Sequence, residues 1–454
     1  MLTTELISKH TQPGPRYTSY PTAPEWKPLA PEAYKKALQK FGNSQKTLSL
    51  YIHIPFCNTM CYYCGCNVVI RKSKPEVGNE YLDYLEKEIR LVQSQMGKKS
   101  VLKQFHLGGG TPNFLSSDQL NRLMDIIHLH FDLDPEAEIA IEIDPRTVEP
   151  SQLQTLKQRG FNRISMGIQD FSAEVQAAIN RIQPYDQVTA LMTQLRALEF
   201  SSINMDLIYG LPHQTLSSFK ETIEQVISLK PDRIALYSFA HIPWLKSHQK
   251  LIDPETLPLG KDKLDIFLQA RGQFLDNGYD AIAMDHFALN TDELASAFKK
   301  GTLYRNFMGY TLKPADEYVG LGVTAIGLIE GTFSQNTPDL KTYYARLDEN
   351  TLPTHKGLEL SEDDLKRQWV IQELMCHFRV NKKQFETRFL VPFDTYFADE
   401  TSHLNRCESE GLLTQSTEQI TATELGRFFV RNIAMGFDWY LRQAEAHKRF
   451  SSTI

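Results

Sequence analysis

Four cysteines fall within ten residues, Cys57-Asn58-Thr59-Met60-Cys61-Tyr62-Tyr63-Cys64-Gly65-Cys66. The first three read C-x3-C-x2-C, so one loop brings three thiolates into a small volume. Three thiolates can ligate three irons of a [4Fe–4S] cluster and leave the fourth iron open, as catalytic metal sites keep a position open. Other uses of these thiols fit less well. A structural zinc site draws on two C-x2-C pairs or on spaced histidines, and no second pair follows. Disulfides among thiols crowded into one loop would be strained. Cys376 and Cys407 stand far downstream in helical-looking sequence and read as small buried apolar residues.

A second candidate is Gly108-Gly109-Gly110-Thr111-Pro112, a turn at the end of an apolar run. Glycines there let backbone approach a neighbour closely. The elements that must hold these loops alternate strand and helix. Leu48, Leu50, Ile52 and Ile54 share one face of a strand, with Tyr51 and His53 on the other. Val101–Leu107 is a second strand, and Ser116 with Gln119 makes a capping box for the helix that follows. Ile139, Ile141 and Ile143 mark a third strand, Ile164, Met166 and Ile168 a fourth, and Ile203, Met205 and Leu207 a fifth. Further strands are predicted at 233–239 and 279–285. Repeated β-α units give a parallel sheet with right-handed crossovers, here an α/β fold built as a partial or complete TIM-like barrel. Tyr51, Glu142, Gln169 and Asp206 recur as polar residues at the ends of successive strands, where parallel barrels bind ligands.

The chain of 454 residues has room for a large domain and a smaller one. Residues 1–46 read as a mostly irregular lid segment, with Pro13-Gly14-Pro15 and Pro21 as breakers. Residues 47–356 form the barrel. A C-terminal helical, winged-helix-like domain spans 357–454, with a helix start at Ser361 and one helical face of Leu365, Trp369, Leu374 and Phe378. With 49 Lys+Arg against 55 Asp+Glu, charge gives no case for nucleic acid, so that domain reads as a packing lid. No apolar run is long enough to span a membrane. The start, Met1-Leu2-Thr3-Thr4-Glu5, lacks the pattern of a signal peptide, and cluster-binding thiols need a reducing compartment. These readings point to a cytoplasmic protein, and no exposed heptad or apolar edge asks for more than a monomer.

The cysteine spacing resembles the signature of the radical S-adenosylmethionine (SAM) enzymes. Cys66, and the string Tyr51-Ile52-His53-Ile54-Pro55-Phe56 before the loop, are similar to the oxygen-independent coproporphyrinogen III oxidase family, also called coproporphyrinogen III dehydrogenases. The resemblance runs through Pro15-Arg16-Tyr17-Thr18-Ser19-Tyr20-Pro21-Thr22, Glu142-Ile143-Asp144-Pro145-Arg146 and Ser165-Met166-Gly167-Ile168-Gln169-Asp170-Phe171. It continues in Asp206-Leu207-Ile208-Tyr209-Gly210-Leu211-Pro212, Met284-Asp285-His286-Phe287-Ala288 and Arg305-Asn306-Phe307.

This resemblance implies a [4Fe–4S] cluster on Cys57, Cys61 and Cys64, and two SAM molecules. Tyr51, Gly109 and Glu142 would hold the first SAM; Tyr63, Gly110, Thr111, Gln169, Arg181, Asp206, Ala240 and Ile326 the second. Thr111 stands where related enzymes often carry Glu, and Tyr63 where this family often carries Phe. The implied reaction turns two propionates of coproporphyrinogen III into vinyl groups, giving protoporphyrinogen IX, with an unidentified electron donor and acceptor. Cys66 would take part without ligating the cluster, and Arg16 and Arg305 are candidates for meeting the substrate carboxylates. Haem-trafficking chaperones related to this family are the alternative. They typically lack both the fourth cysteine and the Pro-Arg-Tyr-Thr-Ser-Tyr-Pro-Thr segment, which are present here. A related radical SAM methyltransferase or haem-opening enzyme would share the scaffold.

Overall fold

The computed structural model describes residues 4–312, 315–443, 450 and 453. Its frame is a run of parallel strands, each made by an apolar alternation. They are β1 (Leu48–Ile54), β2 (Ser100–Gly109), β3 (Phe131–Ile143), β4 (Arg163–Gln169), β5 (Ser202–Tyr209) and β6 (Arg233–Ser238). Each pairs in parallel with the next. Leu48, Leu50, Ile52 and Ile54 are fully buried, as are Ile203, Met205 and Leu207. These side chains pack against helices that include Pro75–Met96 and Ser117–His130, the latter started by the Ser116–Gln119 capping box.

The barrel is partial. Region 279–285, expected as a parallel strand, is instead the first arm and turn of a hairpin, β7 (Tyr279–Ile282) and β8 (His286–Leu289). β8 lies antiparallel on β6. A three-residue link cannot carry a parallel crossover, which needs a dozen residues or more. At the other edge β9 (Glu317–Leu321) pairs in parallel with β1. It continues into the antiparallel strands β10 (Ile326–Ile329), β11 (Thr332–Asn336) and β12 (Thr354–Glu359). The sheet therefore ends in antiparallel strands on both sides, with no pairing among the described residues that closes the ring.

Residues up to 46 are not mostly irregular. Pro31–Gly42 is a helix that buries Tyr34, Ala37, Leu38 and Phe41 in the barrel core, at the i, i+3, i+4, i+7 spacing of one helical face. Pro31, a breaker inside a helix, stands at its first turn, where its fixed φ suits the start. The stretch before it packs elsewhere. Tyr17 and Tyr20 are buried in a second core built by the C-terminal region. Tyr17 donates to Asp438 Oδ2 at 3.0 Å, and Arg431 Nε donates to the Pro15 carbonyl at 2.9 Å.

That second core surrounds helix Glu362–His377, capped by Ser361 with Asp364. Of the face expected, Leu374 and Phe378 are buried and Trp369 packs against the core, joined by Val370, Ile371 and Met375. Leu365 is exposed, and Phe378 ends the helix in a left-handed turn, φ 58°. A three-stranded antiparallel sheet of Arg379–Asn381, Leu413–Gln415 and Gln419–Ala422 completes a wing. Cys376 and Cys407 are buried within these elements. Among the described residues no helix is long and apolar enough to cross a membrane.

Candidate active site

Register decides which side chains share the concave face of the sheet. Residues paired across neighbouring strands point the same way. Tyr51 pairs with His106, and Glu142 pairs with Ser165, which pairs with Asn204. One level further, Gly167, Asp206, Ala235 and His286 form a row across β4, β5, β6 and β8. The concave wall is thus polar by sequence, while the alternate residues fill the core behind it.

The cysteine loop closes over this wall from the end of β1. Its backbone is tied at both ends: Val69 N–H donates to the Pro55 carbonyl at 2.7 Å and Arg71 N–H to that of Cys57 at 3.0 Å. Residues far along the chain fix its middle. His248 Nε2 donates to the Cys64 carbonyl at 2.7 Å, Gln249 Nε2 to that of Tyr63 at 3.0 Å, and Lys246 Nζ to that of Cys66 at 3.0 Å. The glycine turn docks directly beneath. Gly110 N–H donates to the Ile54 carbonyl at 2.8 Å. A Cβ on Gly110 would lie 2.7 Å from the Pro55 carbonyl oxygen, and one on Gly109 2.8 Å from that of Ile54. The close approach these glycines permit is therefore to the cysteine loop's own backbone.

One cavity is lined by Cys57, Cys61, Cys64 and Cys66 together with Tyr63, Gly109, Gly110, Thr111, Glu142, Gln169, Arg181 and Asp206. All the cysteines are free thiols. The donor set suits an anionic, sulfur-bridged cluster. Arg146 Nη2 and Arg181 Nη1 point at Cys61 Sγ from 3.6 and 3.7 Å, and Thr111 Oγ1 lies 3.2 Å from Cys57 Sγ. The four cysteines line one volume, as a cluster of several irons requires. Burial pushes the Cys57 thiol up to about 11, so a bound iron must displace its proton.

Two ion-pair systems set the charge of the cavity. Asp144 is buried between Arg146, at 2.7 Å, and Arg181, at 3.4 Å. Burial pushes the Asp144 carboxyl up, but Arg181 and Arg146 outweigh it and hold it below the usual range. Arg181 is itself buried, donates to the Gly167 carbonyl at 2.7 Å, and leaves Nε without a hydrogen-bond partner. Across the cavity, Glu142 accepts from the Gly109 N–H at 3.3 Å and faces His106 Nε2 at 3.2 Å. Asp206 accepts from Ser165 at 3.2 Å and Asn204 at 2.8 Å. Burial, then repulsion from Glu142, lifts its carboxyl to about 6. One wall thus presents buried cations and the other presents acceptors, as a zwitterionic amino acid and a hydroxyl-bearing sugar require.

Not every expected residue lines this cavity. Asp206 does line it, but not from a strand end; it is the fifth of the eight residues of β5, one layer down. Tyr51 stands behind Glu142, stacked on His106 with its hydroxyl 3.1 Å from His53 Nδ1. Ala240 lines a neighbouring apolar cavity with Phe239, Trp244 and Lys263, and its carbonyl accepts from Gln249, the residue that also holds Tyr63. Ile326 opens β10 and packs beside Trp26, Tyr318 and Phe333. Arg16 and Arg305 meet each other: Arg305 Nη1 donates to the Arg16 carbonyl at 2.6 Å, and Arg16 Nη2 to that of Ser238 at 2.9 Å. Asp144 and Arg146 were within reach of sequence reading, since they follow Glu142 in one short motif. The loop-fixing His248 and Gln249 carry no local signal at all.

Comparison with known proteins agrees with this geometry. Residues 51–226 match the family model of the Radical SAM superfamily, and residues 360–429 match that of the HemN C-terminal domain. A Synechocystis protein named oxygen-independent coproporphyrinogen III oxidase is 44% identical, over 99% of this chain and 97% of its own length. A Pseudomonas aeruginosa protein of the same name is 43% identical, over 99% and 98%. The solved structure of coproporphyrinogen III oxidase from Escherichia coli, described as a radical SAM enzyme, superposes with a TM-score of 0.91 at 39% identity, covering 97% of this chain and 99% of that one.

Proposed function

The chain belongs to the oxygen-independent coproporphyrinogen III oxidase family of the radical SAM superfamily, and on that premise we propose how its cavity serves the reaction. It is an oxidoreductase that decarboxylates coproporphyrinogen III without oxygen, using a [4Fe–4S] cluster and SAM. The finer reading is that two propionates become vinyl groups, yielding protoporphyrinogen IX, with two SAM molecules bound. The observation that carries it is the cavity that Cys57, Cys61 and Cys64 share with the buried Arg181 and the half-buried Asp206.

Cys57, Cys61 and Cys64 would hold the cluster, and Cys66 would line the cavity without ligating. When bound, cluster and SAM together supply one-electron chemistry that abstracts a hydrogen atom from substrate. The chain's own residues bind and orient. Glu142 and Gly109, with Tyr51 behind them, serve one SAM. Arg181 presents its unpartnered Nε to the carboxylate of the second, and Asp206 accepts from its hydroxyls or amino group. Gln169, Tyr63, Gly110 and Thr111 complete that site. Ala240 would serve it through the loop that Gln249 holds, and Ile326 from the β10 side. Arg16 and Arg305 supply positive charge toward the substrate carboxylates. Helix Pro31–Gly42 belongs to the barrel and the barrel sheet runs on to Glu359, with the C-terminal region after it, and segment 16–22 covers the barrel mouth against water. The protein works as a cytoplasmic monomer.

An anaerobic assay of the reconstituted protein with coproporphyrinogen III, SAM and a reductant tests the reading. Protoporphyrinogen should form with two SAM cleaved per product. SAM cleavage without any decarboxylation would overturn it.

A further inference from the structure

Buried Asp285 and half-buried His286 form a pair that the cavity residues above do not use. His286 Nδ1–H donates to Asp285 Oδ1 at 2.7 Å, which orients the ring. Burial pushes the Asp285 carboxyl up, but the hydrogen bond and charge of His286, then Arg305 and Arg16, hold it at about 2. Edge contacts to Tyr237 and Tyr310, with centroids at 5.8 and 4.9 Å, clamp the imidazole on two sides. Its Nε2 has no hydrogen bond among the described residues.

Register shows what that free nitrogen faces. Asp206 and His286 both pair with Ala235, one on each side, and all three point into the concave face. Neighbouring strands are about 4.8 Å apart, so Asp206 and His286 stand roughly 10 Å apart across the small Ala235 side chain. The cofactor cavity reaches as far as Asp206. His286 stands two strands further along the row, where it lines a second cavity with Arg16, Tyr209, Asp285 and Arg431. Positive charge accumulates at this end of the row. Arg305 stacks on Tyr310 at 5.0 Å with its Nε buried and unpartnered, and Arg16 lies over Tyr237 at 5.8 Å. Asp285 Oδ2 has no hydrogen-bond partner, and Arg16 stands 3.8 Å away. One buried carboxylate against His286, Arg305 and Arg16 leaves room for a second anion.

We infer that the imidazolium of His286, its Nδ1–H held by Asp285, donates Nε2–H to a propionate carboxylate of the tetrapyrrole substrate, with Asp285 as the positioning residue that aims the ring. The inference rests on the coproporphyrinogen reading, because it takes its ligand from it. It names the contact that places a substrate side chain beside the cofactor cavity.

The test uses the reconstituted full chain and two non-reacting probes, coproporphyrin III and its tetramethyl ester, titrated by fluorescence quenching. His286→Leu should weaken the tetra-acid about ten- to hundredfold, as loss of a charged hydrogen bond does, and leave the ester's affinity unchanged. His286→Gln, which keeps a donor, should recover part of the loss. Asp285→Asn, which keeps an acceptor but not the charge, should fall between. In turnover the His286→Leu loss should appear in KM more than in kcat, with cluster absorption and SAM binding intact. Equal losses for acid and ester, or none, would overturn the inference. A wild type that binds the tetra-acid but never decarboxylates would instead overturn the functional reading and leave the binding comparison standing.

Discussion

Asp206 is a carboxylate held in the wall by Ser165 and Asn204 while facing Glu142. Burial and that repulsion raise its carboxyl from 3.8 to about 6. A carboxyl with a raised folded-state pKa costs the fold stability wherever it is ionised in both states. The cost is absent below about pH 4, grows as pH rises through the interval and is complete above about pH 6. Two units at about 1.4 kcal/mol each give about 3 kcal/mol at neutral pH. Asp206→Asn removes this charge. The amide keeps one acceptor for Asn204 and gives up the second, a loss of about 1 kcal/mol. The variant should therefore be about 2 kcal/mol more stable at neutral pH, equivalent to about 2–4 °C in Tm, and no more stable near pH 4. The same change should weaken SAM about tenfold or more, because the anionic acceptor is gone. Thermal unfolding of anaerobically reconstituted protein at the two pH values, with equilibrium dialysis of SAM, reads both effects. Wild-type SAM stoichiometry and affinity in the variant would refute the assignment. A variant less stable than wild type at neutral pH would refute the electrostatics.

Alanine at Cys57, Cys61 or Cys64 should abolish the [4Fe–4S] absorption and EPR signals after reconstitution, whereas Cys66→Ala should keep them; a full cluster in any of the first three would break the ligand set. Arg181→Met should lower SAM affinity about ten- to hundredfold, and cost about 2–3 kcal/mol of stability rather than more, because Arg146 still holds Asp144 at 2.7 Å; unchanged dialysis would count against it. Glu88, buried on Tyr343, Asn336 and the Gly322 N–H, has its carboxyl raised by burial to about 7. Wild-type stability should fall as pH rises from about 4.5 through 7, and Glu88→Gln should flatten that slope; parallel Tm profiles would refute it.

Local pattern was enough for the cysteine loop, for the strands with clean alternation and for the Ser116 cap, because each rests on near neighbours in sequence. Helix Pro31–Gly42 was legible too, in Tyr34, Ala37, Leu38 and Phe41, but its opening proline reads as a breaker until its place at the first turn is known. The hairpin of β7 and β8 shows a different limit. Ile282 and the residues beyond it have strand composition, and nothing local states which neighbour they choose. Only the short link between the arms forbids a parallel partner.

The site itself was legible as a set of residue types and illegible as a geometry. Glu142, Asp144 and Arg146 lie within one motif, yet Glu142 faces His106 and Gly109, while Asp144 turns to Arg181, 37 residues away. Asp206 carries the same chemistry in the sequence whether it ends its strand or sits a layer below. The difference matters, because the deeper position is what buries it and raises its carboxyl. Ala235 has no chemistry to notice at all. Its meaning comes from pairing with Asp206 on one side and His286 on the other. Composition says which reactions a chain can support; register decides which of its residues meet the same ligand.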